Sequence, residues 1–363
     1  MEKIGIAIVG AGGIAGAHAK AVQQIPEEAK LVAVADTDEG RAQSFARRYQ
    51  VPVWTTEIDD VLRRDDVHAV HLCVPHHLHA TFALSALQAG KHVLVEKPMA
   101  ISLEEADQML AAAKKANRQL GVVFQLRFEP DVRRASQVIR CGAIGTPFYA
   151  EVSCLWWRRP VYYEVSWRGK WATEGGGAVI NQAVHHVDLL IHLLGMPSEV
   201  QAHIDTIAHD IEVEDWCLAT LRWQDSLYAV FCASTAAELE SDISRMLVLG
   251  QYGTIQMFPF RPYSRHEERL LQIAEVYRGI PDREMPGHTA LVHDFLRAVR
   301  ERRAPQVSGV EGRHALELIT AIYQSALTGE PVRLPLSPQS PCYTNAGKLE
   351  MARRYVEQRA KRT

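Results

Sequence analysis

The chain has 363 residues, of which 47% are hydrophobic and 23% are charged. Its 40 lysines and arginines and its 43 aspartates and glutamates leave a formal net charge of −3, without a basic block that would suit nucleic acid. A chain of this length exceeds the size at which a single hydrophobic core usually stops growing, so we expect two domains.

The first predicted strand, Ile4–Val9, leads into a glycine-rich turn that is typical of dinucleotide binding. Gly10 permits the tight turn and Gly12 lets the backbone approach a pyrophosphate, while Ala15 stands where a helix packs closely on the strand. The N-terminal N–H groups of that helix then face the phosphates. The cofactor contacts predicted from this turn are Gly10, Gly12, Gly13 and Ile14.

The second predicted strand, Leu31–Ala35, ends in Asp36, whose carboxylate can accept hydrogen bonds from both ribose hydroxyls. Acidic residues at 36, 38 and 39 would repel a 2′-phosphate, and no arginine directly follows Asp36, so NAD is predicted rather than NADP. Arg41 could swing across to neutralise such a phosphate, although a solvated helix residue is the simpler interpretation. Asp36, Thr37 and Arg41 are included among the predicted cofactor contacts.

Further strands are predicted at Ala69–Val74, His92–Val95 and Leu120–Phe124, and they alternate with amphipathic stretches. This alternation predicts a doubly wound parallel sheet, an α/β Rossmann domain over residues 1–125. Ligands bind such sheets at the carboxyl ends of the strands. The cofactor contacts predicted at these later strand ends are Val74, Pro75, His76, His79, Glu96, Lys97 and Gln125.

Two of these strand ends carry unusual polar groups. Three histidines, at 76, 77 and 79, follow one strand, but no carboxylate or cysteine completes a familiar ligand spacing, so no metal is predicted. Glu96 and Lys97 follow the next strand. Because both are costly to desolvate, we expect them to be paired or to take part in the chemistry.

After residue 126 the pattern changes to long strand-like segments that follow one another without helices. They are Thr146–Trp156, Val200–Ile207, Glu212–Trp223, Leu227–Ser234 and Met246–Met257. The pattern predicts an α+β domain over residues 126–340 with a large, mostly antiparallel open sheet, followed by a helical tail at 341–363. An open sheet with helices on one side leaves a face to cover, so a homodimer or homotetramer is predicted.

A third polar cluster follows the Gly175-Gly-Gly177 run. If the chain is helical from Ala178 onward, Asn181, His185 and Asp188 share one face, at positions i, i+4 and i+7. The alternative is a solvated helix face. Beside a nucleotide site, however, a histidine face is better interpreted as the acid/base group of a hydride-transfer site.

Aromatic residues are concentrated before this cluster, together with several arginines. Such aromatics either fill a core or stack on a sugar ring. The arginines either bind an acidic or phosphorylated sugar or form surface ion pairs, and the sequence leaves both alternatives open. The substrate contacts predicted from these segments are Arg127, Trp156, Tyr163, Arg168, Asn181 and His185, with Lys97 from the first domain.

Together, the glycine turn, Glu96-Lys97-Pro98 and Asn181-x-x-x-His185-x-x-Asp188 resemble the glucose–fructose oxidoreductase/inositol dehydrogenase/MocA family of NAD(P)-dependent sugar and cyclitol oxidoreductases. The resemblance covers nearly the whole chain. It implies a dehydrogenase in which Lys97 and His185 flank the nicotinamide as catalytic residues, with Asn181 and Asp188 beside them. Family members often carry aspartate at the position of Asn181, which cannot ionise.

Two other functions stay open at this point. Some relatives use bound NAD transiently to cleave glycosidic bonds, and a family-like fold can serve as an NAD-responsive or sugar-responsive regulator.

The six cysteines are scattered without a Cys-x-x-Cys pair. The first strand begins at Ile4, which leaves no room for a signal peptide, and no apolar run approaches the roughly 20 residues of a membrane span. We therefore expect a cytoplasmic protein that binds neither membrane nor nucleic acid.

Overall fold

The computed structural model describes residues 2–224, 226–282 and 285–360. The chain divides into two compact units, each built on one β-sheet. The first unit contains residues 2–100, 105–125 and 285–313, and the second contains residues 101–104, 126–282 and 314–360.

The strands of the first sheet are β1 (Ile4–Val9), β2 (Ala29–Ala35), β3 (Trp54–Thr55), β4 (Ala69–Leu72), β5 (His92–Val95) and β6 (Leu120–Val122). The strands of the second sheet are β7 (Pro147–Leu155), β8 (Glu199–Asp205), β9 (Trp216–Arg222), β10 (Tyr228–Ser234), β11 (Ile243–Gly250), β12 (Gly253–Met257), β13 (Arg261–Tyr263) and β14 (Val332–Arg333). The α-helices are α1 (Ala15–Gln23), α2 (Glu39–Tyr49), α3 (Ile58–Leu62), α4 (His79–Gln88), α5 (Leu103–Ala116), α6 (Pro130–Arg140), α7 (Val184–Leu194), α8 (Glu267–Gly279), α9 (Gly287–Glu301), α10 (Gly309–Thr328) and α11 (Asn345–Ala360).

The first sheet has the strand order β3-β2-β1-β4-β5-β6, and all of its pairs are parallel. β1, β4 and the last three residues of β5 are buried along their length, as expected when helices cover both faces. The predicted parallel Rossmann sheet is therefore confirmed. Its carboxyl edge carries the glycine turn, Asp36 and the polar segments that follow β4 and β5.

The second sheet has the strand order β13-β12-β11-β7-β10-β9-β8-β14. β7 and β10 are parallel to each other, and the other pairs are antiparallel. Buried and accessible residues alternate along β7, β8 and β9, so one face of these strands packs on the core. This confirms the predicted large, mostly antiparallel sheet. Homo-oligomeric assembly through its other face stays a prediction.

Several boundaries differ from those expected from the sequence. The segment 212–215 lies outside β9, and the side chains of Glu214 and Asp215 accept the backbone N–H groups of residues 177, 179, 207 and 208. α8 was not predicted, since Ile273 is its only buried residue and its apolar pattern is weak. The segment 285–313, placed in the second domain from sequence, groups with the first unit because α9 packs on α1.

The shared face of Asn181, His185 and Asp188 was conditional on one continuous helix from Ala178 onward, and the structure interrupts that helix. A single π-helical turn covers Ala178–Gln182, and α7 begins after it at Val184. Glu214 accepts the backbone N–H groups of Gly177 and Val179 at the start of this turn. Asn181 therefore lies in a different helical turn from His185 and Asp188.

Within residues 2–224, 226–282 and 285–360, no helix is long and apolar enough to cross a membrane. Over the same ranges, no three His, Cys, Asp or Glu side chains are grouped as a metal site would need.

Candidate active site

The glycine turn after β1 is shaped for close approach by a ligand. Gly10 has φ +91°, and a Cβ at this position would lie 2.4 Å from the Cys73 carbonyl oxygen, so glycine is required there. A Cβ at Gly12 or Gly13 would meet no atom within 4 Å, so these two glycines leave open space. Next to the N-terminus of α1, such a cradle fits the pyrophosphate of a dinucleotide.

Asp36 is held at the end of β2 by two backbone donors. The Ala11 N–H donates to its Oδ2 at 2.8 Å, and the Asp38 N–H donates to its Oδ1 at 2.9 Å. Arg41 Nη2 donates to the same Oδ1 at 2.9 Å. Burial raises the pKa of Asp36, but Arg41 and these N–H groups outweigh burial and lower the pKa. The carboxylate stays ionised, as ribose recognition requires, and Thr37 follows it directly.

A buried cluster links Glu96 to α1 and β4. His18 Nε2 lies 2.9 Å from Glu96 Oε1, and His18 Nδ1 lies 3.1 Å from His71 Nδ1. Both histidines are at most 1% exposed. Glu96 Oε2 accepts the backbone N–H of Lys97 at 3.2 Å. The expectation that Glu96 is paired is therefore met, and its partner is a histidine.

The pKa values of this cluster favour a charged pair. Burial alone would raise the pKa of Glu96, but His18 first and then Lys97 and His288 lower it to about 2. Burial alone would lower the pKa of His18, but Cys73 and Glu96 raise it to about 10. Burial also keeps the pKa of His71 well below its ordinary value. A protonated His18 can then donate to both neighbours, the carboxylate of Glu96 and the neutral ring of His71.

His79 joins the two polar strand ends. Its Nδ1 lies 2.7 Å from the Pro98 carbonyl oxygen and its Nε2 lies 2.9 Å from the Val74 carbonyl oxygen. The ring is fully buried, and its pKa is lowered mainly by burial. Both ring nitrogens therefore face backbone carbonyl groups, and the neutral ring donates its single N–H to one of them. The other predicted residues at this edge are Val74, Pro75, His76, Lys97 and Gln125.

In the second unit, a buried carboxylate holds the π-helical turn that carries Asn181. Glu214 accepts the Gly177 N–H at 2.9 Å, the Val179 N–H at 3.0 Å and the Tyr323 hydroxyl at 2.8 Å. Burial raises the pKa of Glu214 to about 7, against the hydrogen bonds that lower it. Glu214 and Tyr323 are both buried, and they support the turn that carries Asn181 from within the core.

Asn181 lies in a dense polar network. Its Nδ2 donates to the Tyr162 hydroxyl at 3.0 Å and also to Glu174 Oε1. Glu174 is 1% exposed and also accepts the Gly169 N–H at 2.6 Å. A carboxylate thus stands directly beside the neutral amide of Asn181.

Asp188 forms a bidentate ion pair with Arg127. Arg127 Nη2 lies 2.6 Å from Asp188 Oδ1, and Arg127 Nε lies 2.9 Å from Oδ2. The two side chains are 8% and 1% exposed. Arg127, predicted as a substrate contact, is thus engaged with Asp188 one turn after His185 on α7. His185 itself is partly accessible.

The aromatic segment after β7 is fixed by hydrogen bonds. The Tyr163 hydroxyl lies 2.8 Å from Thr235 Oγ1, and Trp156 Nε1 donates to Ser244 Oγ at 3.3 Å. Arg168 stacks on Tyr162, with its Cζ 3.9 Å from the ring centroid, and also donates to the Tyr162 hydroxyl. The Tyr163 ring contacts the Tyr162 ring, and Arg158 lies against the rings of both Trp156 and Tyr162. Because Asn181 donates to the Tyr162 hydroxyl, these residues form one connected surface with Asn181.

Sequence reasoning missed several of the residues that build these networks. No motif marks Glu174 or Glu214, because their role depends on contacts between distant segments. One signal in the sequence could have identified His18. A buried Glu96 needs a partner, and α1, which carries His18, starts at the same edge of the sheet. The residues added by the structure are His18, His71, Tyr162, Glu174, Gln182, Glu214 and Tyr323.

Comparisons with known proteins agree with this geometry. Residues 4–124 match the GFO_IDH_MocA model, described as an oxidoreductase family with an NAD-binding Rossmann fold, and residues 132–256 match the GFO/IDH/MocA C-terminal domain. Among curated relatives, D-glucoside 3-dehydrogenase of Escherichia coli is 28% identical, with 91% of this chain and 97% of that protein covered. The scyllo-inositol 2-dehydrogenase (NAD(+)) of Bacillus subtilis is 27% identical, with 92% and 97% covered.

A solved structure extends the similarity to the whole fold. The WlbA dehydrogenase of Bordetella pertussis, crystallised with NADH and UDP-GlcNAcA, is 30% identical and has a TM-score of 0.84. The alignment covers 93% of this chain and 99% of that chain.

Proposed function

We propose a mechanism from the premise that this chain belongs to the GFO/IDH/MocA family and is an NAD-binding oxidoreductase of sugars or cyclitols. The proposed reaction is the oxidation of a secondary hydroxyl group, or the reverse reduction of a keto group. The observation that carries the proposal is the carboxyl edge of the first sheet. There, an open glycine cradle follows β1, an ionised Asp36 follows β2 and Lys97 follows β5.

We propose that Lys97 and His185 act on the reacting hydroxyl. The bound nicotinamide would accept the hydride. Neutral His185 would take the hydroxyl proton, and cationic Lys97 would hydrogen-bond to the same oxygen and stabilise its developing negative charge. Glu96 supports this role of Lys97, because it accepts the backbone N–H of Lys97 and is itself fixed by His18.

We propose that Asn181 holds a substrate hydroxyl and that Asp188 orients the site through Arg127. The Asn181 amide is already aimed by Tyr162 and Glu174, so little conformational entropy would be lost when it binds a ligand. Trp156, Tyr163 and Arg168 belong to the same connected surface and would contact the rest of the sugar.

The test is a comparison of NADH formation with release of an aryl leaving group. The purified protein is incubated with NAD and either free polyols or aryl glycosides. A dehydrogenase accumulates NADH from a polyol. An NAD-dependent glycosidase would release the aryl group without net NADH, and a regulator would bind NAD and do neither, so either result would contradict the proposal.

The cytoplasmic location of the protein stays a prediction.

A further inference from the structure

Arg158 is a cation that the protein holds in place without a counter-charge. Its guanidinium Cζ lies 4.8 Å from the ring centroid of Trp156 and 5.4 Å from that of Tyr162. Its Nη2 donates to Gln182 Oε1 at 2.9 Å. In the part of the chain that the structure describes, no carboxylate forms an ion pair with Arg158.

The other cations of this surface are offset by carboxylates. Arg168 Nη1 lies 3.6 Å from Glu174 Oε1, and Arg127 is paired with Asp188. Arg158 therefore adds a positive charge that these two ion pairs leave unbalanced. Because the side chain is half-buried, that charge is only partly screened by water.

Arg158 is also connected to the proposed reaction site. Gln182, which accepts the hydrogen bond from Arg158, donates through Nε2 to the Tyr162 hydroxyl at 2.8 Å. The same hydroxyl accepts a hydrogen bond from Asn181 at 3.0 Å. Gln182 comes three residues before His185. The guanidinium thus belongs to the network that we propose holds the substrate.

The donor geometry favours an oxyanion. The Nε of Arg158 is enclosed and has no acceptor, whereas Nη1 is not enclosed and has no acceptor among the described residues. A planar guanidinium matches the oxygens of a carboxylate or a phosphate, and charge-assisted hydrogen bonds are stronger than neutral ones. Stacking on two rings fixes the plane of the guanidinium but supplies no negative charge.

We propose that Arg158 binds an oxyanion carried by the substrate, a carboxylate or a phosphate group. The enzyme then oxidises an anionic sugar or cyclitol derivative in preference to its neutral counterpart. This inference rests on the proposed function, because it takes the network around Asn181 to be the substrate site.

The test compares matched substrates that differ by one anionic group, namely glucuronate against glucose and inositol monophosphate against inositol. The quantity measured is the ratio of kcat/KM for the anionic member to kcat/KM for the neutral member. The variants are Arg158→Gln, Arg158→Lys and the control Arg159→Gln, whose side chain is the exposed neighbour.

In the wild-type enzyme we expect one anionic member to be preferred about 10-fold or more, and the favoured pair identifies carboxylate or phosphate. Arg158→Gln should lower that ratio by about 10- to 100-fold, the loss expected for one charge-assisted contact. Arg158→Lys, which keeps the charge but loses the planar donors, should retain part of the ratio, and Arg159→Gln should match the wild type. A wild-type ratio near one for both pairs, or a ratio that Arg158→Gln leaves unchanged, would overturn the inference.

Failure of the proposed function can be distinguished from failure of the anion site. If no sugar or cyclitol is oxidised, binding of the same ligands to the NADH-loaded protein is measured by calorimetry. Binding of an anionic member that Arg158→Gln weakens supports the anion site alone, and absence of such binding overturns it. If Arg158→Gln does not fold, Arg158→Lys and the salt dependence of anion binding decide. Affinity should then fall with ionic strength, and affinity independent of salt contradicts the inference.

Discussion

His18 Nε2 lies 2.9 Å from Glu96 Oε1, and this buried pair connects the first helix after the glycine turn to the strand end that carries Lys97. Isolated buried charges are costly, so each member of the pair depends on the other. The pair also fixes the carboxylate that accepts the Lys97 backbone N–H. The helix after the glycine turn and the strand end that carries Lys97 are thereby built as one structure.

The pair should give the protein a pH-dependent stability. The pKa of Glu96 is lowered to about 2 and that of His18 is raised to about 10, from ordinary values of 4.5 and 6.5. Its contribution is therefore complete between pH 4.5 and 6.5, is lost as the pH falls toward 2 and is lost as the pH rises toward 10. His18→Gln should destabilise the protein most within that window, by about 3 kcal/mol.

Urea denaturation of wild type and His18→Gln across this pH range measures the difference. The control is His203→Gln, which replaces an exposed histidine on β8. A difference between wild type and His18→Gln that does not vary with pH would show that the pair is not charged.

Asp36 should select NAD over NADP. Asp36→Ala removes an ionised acceptor for the ribose hydroxyls, so we expect the Kd for NADH to rise about 10- to 100-fold. The Kd for NADPH should not rise in parallel, because the variant also removes a charge that repels the 2′-phosphate. Fluorescence titration of both cofactors measures this, with Asp59→Ala on α3 as an exposed control. Equal losses for the two cofactors would contradict the assignment.

Arg127 and Asp188 should be strongly coupled. Arg127→Met or Asp188→Asn leaves one buried charge without its main partner, and each should cost about 3–5 kcal/mol of unfolding free energy. The double variant Arg127→Met/Asp188→Asn should cost clearly less than the sum of the two single costs. Urea denaturation of the four proteins measures the coupling. Additive costs would mean that the pair contributes little.

Glu214 should make stability fall as the pH rises toward neutrality. Its pKa is raised from 4.5 to about 7 in the folded state, chiefly by burial. Between these values the folded protein binds more protons than the unfolded chain, so the unfolding free energy declines with rising pH by up to about 3 kcal/mol. Above pH 7 this decline should stop.

The Glu214 contribution is isolated by subtracting the pH profile of Glu214→Gln from that of the wild type. Glu268→Gln, an exposed substitution on α8, is the matched control. If the difference in unfolding free energy between wild type and Glu214→Gln is constant between pH 4.5 and 7, Glu214 is ionised throughout that range.

The sequence predicted those parts of the candidate site whose positions follow from the residues of one strand and the turn after it. The glycine turn, Asp36 and the polar residues after β4 and β5 are fixed by strand ends, and strands such as Ile4–Val9 and His92–Val95 are apolar enough to be placed to the residue. The partners of these residues could not be predicted. Glu174 reaches Asn181 across a glycine-rich turn, and Tyr323 reaches Glu214 from α10, more than one hundred residues away.

Asn181 is the clearest case. The resemblance to the family implies only that a neutral amide stands where many members carry aspartate. The structure places the buried carboxylate of Glu174 against that amide. A carboxyl group therefore stands beside position 181, but it comes from a different segment of the chain.

The measurement that tests the central claim most directly is the rate of NADH formation at saturating NAD by wild type and Lys97→Met, together with the Kd for NADH. Lys114→Met, on the exposed side of α5, is the control. We expect Lys97→Met to lower kcat by roughly 10²- to 10⁴-fold while the Kd for NADH changes little, because in the proposed mechanism Lys97 stabilises charge that develops only during the reaction. Near-normal turnover by Lys97→Met would contradict the proposed role of Lys97 at the reacting hydroxyl.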